Sequence, residues 1–369
     1  MPAPLLPDYA GANVRGIVPA LLGPATWAGA LPPWFPQGVD GADQIVLLIL
    51  DGLGWNQLVE RRALMPAVAA MTGGPISTVA PTTTATALSS ITTGLTPAEH
   101  GLLGYRILLG GEVLNVLRWT AGGSDRRRSR PPVDVQPFPA FLGHAVPVVS
   151  PADLQGTAFT EAHLRGSRGV GWRAASAIAV EVRQQLAAGA RFVYAYYGGI
   201  DKTAHERGFG EFYDAELRFA DRLVADVLDA LPAGAVLLVT ADHGQVDVGD
   251  RIIEPDADLL AMVAQQSGEG RFRWWHARPG AAADLAKAAN DRYEDVAWVV
   301  DRQQVLDEHW FGPAMAAPMA ARLGDVALVA FADVSFNDPA DSGPFPLICR
   351  HGSLTPAEVL VPFLAGNVV

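Results

Sequence analysis

Three aspartates in this 369-residue chain each follow an apolar run. Asp51 opens "DGLG" after "QIVLLIL", Asp201 closes "RFVYAYYGGID", and Asp242 stands in "AVLLVTADHG". Histidines accompany two of them. His205 follows Asp201 in "IDKTAH", a D-x3-H spacing that puts both side chains on one face of a helical turn. His243 is next to Asp242, and "RHG" near the end supplies His351. Imidazole and carboxylate are good zinc ligands, so this set suits two zinc ions. Two Zn²⁺ outweigh three carboxylates, and the site stays cationic until an anion arrives. Metals about 4 Å apart can clamp the attacking and leaving oxygens of an in-line displacement.

A hydroxyl cluster stands between the first two acids. "APTTTATALSSITTG" runs from Ala80 to Gly94. Thr82, Thr83 and Thr84 cap a helix that Gly94 ends, or one of them attacks an anion held at that helix N-terminus.

The elements around these residues predict an α/β fold. "QIVLLIL" (44–50), the run at 191–197 and "AVLLVT" (235–240) read as strands buried on both faces. Residues 171–189 and 212–231 have helical spacing. Strands alternating with helices imply a mostly parallel central sheet covered by helices on both faces. Ligands of such sheets bind outside the strands' carboxyl ends, where the three acids converge. Residues 1–42, rich in Pro, Gly and Ala, read as a lead-in over the surface. The α/β catalytic core is expected over 43–251 and 346–369, with a small α+β cap inserted at 252–345. Trp274 and Trp275 of that insertion either fill its core or turn an aromatic face to a substrate. Residues 105–165 read as irregular.

A net charge of −12 argues against a nucleic-acid polymer as partner, since duplex binding needs clustered Lys and Arg. The one basic cluster, Arg126–Arg128 with Arg130, reads as a solvated loop or an aid to binding a small anion. Cys349 is the only cysteine, so no intrachain disulfide forms. The start has an acid and prolines where a signal peptide has a basic, then apolar, run. No apolar stretch is long enough to cross a bilayer. A cytoplasmic protein with no membrane partner is expected. His100, His144, His163, His276 and His309 lack metal-like spacing and read as structural.

In order and spacing, Asp51 to His351 resemble the motifs of the alkaline phosphatase superfamily, nearest its type I phosphodiesterases and nucleotide pyrophosphatases. "PTTTATALSSITTGLTPAEHG" is similar to that branch's nucleophile region, Pro-Thr-x-Thr and later T-G-L-x-P-x-x-H-G. The resemblance implies hydrolysis of a small anionic phosphoester through a phospho-threonine on Thr84, with the Ala85 N–H helping to hold the phosphoryl oxygens. It implies one zinc on Asp201, His205 and His351, and another on Asp51, Asp242, His243 and the Thr84 oxygen. Thr83 stays open as an alternative nucleophile. The branch carries an Asn three residues after the nucleophile, and here Ala87 stands there. Lys202, Arg106 or an arginine of 126–130 is the expected replacement. A phosphomonoesterase and a metal-binding homologue without catalysis are the competing readings. A sulfatase lacks its C/S-x-P-x-R context, and a cofactor-independent mutase lacks its serine and its large insertion.

Overall fold

The run Gln44–Leu50 (β1) has no side chain in water beyond its first residue, because it lies in the middle of a seven-stranded sheet. The computed structural model, which describes residues 2–23, 30–341 and 346–367, gives the sheet its other strands. They are β2 (Thr72–Ser77), β3 (Pro147–Pro151), β4 (Arg168–Trp172), β5 (Phe192–Tyr197), β6 (Ala235–Thr240) and β7 (Leu360–Asn367). The order is β2-β7-β6-β1-β5-β3-β4. Only β7 runs against its neighbours. The three runs read as buried strands are the three central ones, paired in parallel over Ile45–Ile49. Four helices matter below: α1 (Thr84–Thr93), α2 (Ile178–Ala187), α3 (Gly199–Arg207) and α4 (Glu211–Asp229).

Several elements differ from the sequence expectation. The helix read from residue 171 begins at Ile178, and the residues before it form edge strand β4. A Cβ on Gly171 would stand 3.0 Å from that of Ala152, so close packing selects glycine in this strand. Residues 105–165 are ordered as a hairpin (Arg106–Leu109 with Glu112–Asn115), as β3 and as a helix over Ala158–Leu164. The lead-in is part of the core, with Val14, Ile17, Val18 and Leu21 fully buried. Among the described residues, no helix is long and apolar enough to cross a membrane.

Residues 263–330 build an antiparallel sheet of four strands, ordered Val263–Glu269, Phe272–Ala277, Val326–Ala330, Ala297–Asp301. The helix Ala282–Tyr293 covers one face and closes a second apolar core around Trp275, Leu285, Tyr293 and Phe336. Trp274 points the other way, into the main core. Both tryptophans are therefore core residues, and neither offers a ring to a substrate.

One fully buried ion pair ties this sheet to the main one. Arg271, at the turn of the 263–277 hairpin, donates from Nε and Nη2 to the two oxygens of Glu358, each at 2.8 Å. It also donates to the carbonyls of Ala330, Ala332 and Val334. Glu358 accepts further from the Ser353 N–H and the Thr355 hydroxyl, which fixes the loop after His351. Removing one member of such a pair strands the other charge in a dry site. Glu358→Ala is expected to cost about 3–5 kcal/mol in urea unfolding, whereas the double variant Arg271→Met with Glu358→Met recovers much of that loss.

Candidate metal centre

Each candidate ligand sits just past a strand or on the short helix that follows one. Asp51 follows β1, Asp242 and His243 follow β6, and Asp201 and His205 lie on α3, which begins two residues after β5. His351 follows the two-residue strand Cys349–Arg350, which pairs with Val246–Asp247 just beyond His243. Positions 150 residues and more apart in sequence thus meet at one end of the sheet.

The histidines share a local device. His205 Nδ1 is 2.6 Å from the Cys349 carbonyl, His351 Nδ1 is 2.7 Å from that of Thr82, and His243 Nδ1 is 3.1 Å from that of Gly244. A carbonyl only accepts, so each Nδ1 carries the proton and each Nε2 keeps a lone pair. Those Nε2 atoms converge on carboxylate oxygens. His205 Nε2 lies 3.2 Å and His351 Nε2 4.0 Å from Asp201 Oδ1. His243 Nε2 lies 3.6 Å from Asp51 Oδ1 and 3.5 Å from Asp242 Oδ2. Ligand atoms around a tetrahedral zinc with bonds near 2.0–2.1 Å are about 3.3 Å apart, so the spacing suits coordination. Asp201, His205 and His351 form one group and Asp51, Asp201 and His243 another, the ligand atoms of each lying within 4.8 Å of one another. Asp201 is common to both.

The carboxylates are half satisfied. Asp242 Oδ1 accepts from the N–H groups of Gly52 and His243, Asp51 Oδ2 from the Tyr196 hydroxyl, and Asp201 Oδ1 from Gln245. Asp51 Oδ1 and Asp242 Oδ2 are buried without a hydrogen-bond partner. Burial first, then the charges of Asp242 and Asp201, pushes the Asp51 carboxyl well above its usual range. Asp242 is raised too, chiefly by burial, with His243 opposing. Burial, then His243 and His205, holds His351 well below the usual imidazole value. Two orphaned carboxylate oxygens beside His243 Nε2, with His205 and His351 grouped on Asp201, are a donor set for divalent cations.

Thr84 is the first residue of α1, and its Oγ1 lies 3.1 Å from His243 Nε2. The N–H groups of Thr86 and Ala87 both bond to the Thr83 carbonyl. Those of Thr84 and Ala85 precede them as first-turn donors with no acceptor inside the helix. Thr83 is the N-cap residue by backbone only, since its side chain makes no capping bond. Thr82 Oγ1 accepts from the Gly352 N–H at 2.9 Å and donates to the Ser353 carbonyl at 2.9 Å.

Two cavities open on Thr84. One, of about 670 Å³, is lined by Thr84, Asp201, His205, His351, Glu269 and Arg350, among others. The other is an apolar recess of about 190 Å³ with Leu88, Phe159, Leu164, Tyr194 and Tyr196. Burial pushes Glu269 up to about 8. Of the cations expected from sequence, none lines the cavity of about 670 Å³, and Arg106 and Arg126 line only a neighbouring one of about 760 Å³. Arg106 is buried and held by Asp338, its Nη1 2.5 Å from Oδ2. Lys202 is exposed, because it is one residue round the turn from the face that Asp201 and His205 share. Arg126 is paired with Glu112 at 2.9 Å. The arginines that line the cavity are Arg118 and Arg350. Nothing in their spacing marked them, although Arg350 adjoins His351.

A family model described as type I phosphodiesterase / nucleotide pyrophosphatase matches residues 45–157 and 168–343. The chain belongs to the type I phosphodiesterase / nucleotide pyrophosphatase family. That places it in the alkaline phosphatase superfamily, among phosphoester hydrolases. Solved structures share the fold at low identity. Murine ectonucleotide pyrophosphatase / phosphodiesterase 5, an inactive variant in complex with AMP, superposes with a TM-score of 0.66 at 13% identity, over 88% of each chain. Phosphonoacetate hydrolase from Sinorhizobium meliloti, in complex with phosphonoacetate, gives 0.65 at 17% identity over 89% of this chain and 91% of that one. Among curated proteins, a stretch of 95 residues is 28% identical to Trigger factor of Thermotoga maritima, covering 26% of this chain and only 20% of that one. A match to a fifth of another protein's length carries no function across.

If the Thr82 hydroxyl fixes the His351 loop, Thr82→Val costs about 1–3 kcal/mol of stability. It also weakens divalent-metal binding roughly 10- to 100-fold in equilibrium titration, as lost ligand support does. Unchanged metal affinity would show that the loop holds His351 without Thr82.

Proposed function

We propose that this protein hydrolyses small phosphodiesters, nucleotide pyrophosphates included, through a phospho-threonine on Thr84 at a two-zinc centre. The observation that carries this reading is the placement of Thr84 Oγ1 at a helix N-terminus, beside His243 Nε2 and open to both a polar cavity and an apolar recess. Asp201, His205 and His351 would hold one ion. Asp51, Asp242, His243 and the Thr84 oxygen would hold the other, with Asp201 close to both. Zinc bound there supplies the positive charge that acidifies the Thr84 hydroxyl and offsets charge on the phosphoryl group.

The chain's own groups then do the rest. The Thr84 hydroxyl loses its proton to water in the cavity and its oxygen attacks phosphorus. As the Thr84–O–P bond forms, the bond to the departing arm breaks, and its electron pair leaves on that arm's oxygen, which takes a proton from water. Water then attacks the phospho-threonine, and Thr84 Oγ1 departs with the electron pair and is reprotonated. The N–H groups of Thr84 and Ala85 face the phosphoryl oxygens during both displacements. The apolar recess suits an organic arm, AMP being the ligand of one structural neighbour. The proposed compartment is the cytoplasm.

A phosphomonoesterase is the second reading, favoured by Arg118 and Arg350 in the cavity, since a monoester brings an additional charge. Three measurements decide. Elemental analysis of active protein should find about two zinc ions per chain; no transition metal would refute the centre. Thr84→Ala should abolish covalent turnover while leaving the metal bound, with Thr83→Ala costing far less, and the reverse ranking moves the nucleophile back one residue. The kcat/KM for bis(p-nitrophenyl) phosphate should exceed that for p-nitrophenyl phosphate by roughly tenfold or more, about 1.4 kcal/mol in the transition state. Equal rates favour the monoesterase.

A further inference from the structure

Arg350 is poised for a ligand that no described residue provides. Its Nε is buried without a hydrogen-bond partner, and among the described residues its guanidinium makes no ion pair. Arg118, on the same cavity, is also unpaired among the described residues. The cavity's acids do not balance them. Asp201 belongs to the metal centre, Asp341 is held by Arg273 at 3.3 Å, and Glu269, pushed up to about 8 by burial, makes no ion pair with either arginine. Two positive charges thus remain on the wall that also carries Thr84 and His351. A half-buried cation without a partner is costly, and an anion relieves that cost.

The surroundings leave the guanidinium open to the cavity. A Cβ on Gly270 would lie 3.1 Å from Arg350 Nη1 and 2.0 Å from Ser335 Oγ. Glycine there lets the hairpin turn lie flat against the arginine with no side chain over it. Arg118 and Asp341 also line a further cavity of about 760 Å³ beside the first. A substrate arm can therefore run from Thr84 past Arg350 and Arg118 into that space.

We propose that Arg350, assisted by Arg118, recognises a second acidic group on the substrate, so that preferred substrates carry one anionic centre at Thr84 and another, phosphate or carboxylate, on the arm beyond it. This rests on the Thr84 reading above. The kinetic test compares a nucleoside triphosphate with bis(p-nitrophenyl) phosphate, which has no second acid. Arg350→Ala should lower kcat/KM for the triphosphate roughly 10- to 100-fold more than for the aryl diester, and Arg350→Lys should restore part of the difference. The binding test uses metal-loaded Thr84→Ala protein, calorimetry, and two inert ligands of equal size, phosphonoacetate and phosphonoacetamide. Adding Arg350→Ala should erase the preference for the carboxylate.

Loss of discrimination with the triphosphate alone identifies the second group as a phosphate, and loss with phosphonoacetate alone identifies a carboxylate. Either result upholds the assignment. An equal fall for both esters, together with an unaltered preference between the phosphonates, overturns it and leaves Arg350 a support for His351. Should no ester be hydrolysed, the diesterase reading fails, and calorimetry still decides on the arginine.

Discussion

Two buried carboxylates and a partly buried third repel one another, and little water is there to screen them. Everything at the carboxyl end of this sheet answers that constraint. Asp51, Asp201 and Asp242 come together because β1, β5 and β6 are adjacent and parallel. Backbone N–H groups, Tyr196 and Gln245 satisfy one oxygen of each. What remains is an excess of acceptors turned toward one another. A site of this kind trades stability of the empty protein for affinity toward cations.

The second layer of the site is mechanical. His351 is held from the rear by Thr82, which also opens the segment leading to Thr84, so ligand and hydroxyl are positioned by one stretch of backbone. His205 and the strand before His351 are joined through the Cys349 carbonyl. The Arg271–Glu358 pair extends the same linkage to the four-stranded sheet, whose hairpin forms one wall of the cavity. Displacement of that sheet is therefore felt at His351 through Ser353.

Much of this was legible in sequence for a physical reason. Strands covered on both faces need unbroken apolar runs, and β1, β5 and β6 have them; acids just past such runs have nowhere to go but the crevice. β2, β3 and β7 are short or broken by glycine and proline, with Pro362 opposite Pro75, and gave no such signal. Val14 and Ile17 sit in a Pro-, Gly- and Ala-rich stretch that reads as surface, although Asn13 fastens it to the Thr78 carbonyl at 2.7 Å. Charged partners were the least legible. Arg106 finds Asp338 across 232 positions, and only the fold shows that this keeps it off the wall beside Thr84, where Arg350 makes no ion pair among the described residues.

The orienting bonds of all three histidines end on main-chain carbonyls. A carbonyl belongs to every residue type, so replacing Thr82, Gly244 or Cys349 cannot delete the acceptor itself. The alignment of the imidazoles is thereby stored first in chain length and register, while side chains such as that of Thr82 hold the backbone that carries the carbonyls. Sequences can drift far apart around such a centre while its geometry persists, whereas inserting or deleting one residue between His243 and Val246, or between Cys349 and His351, would scramble it at once.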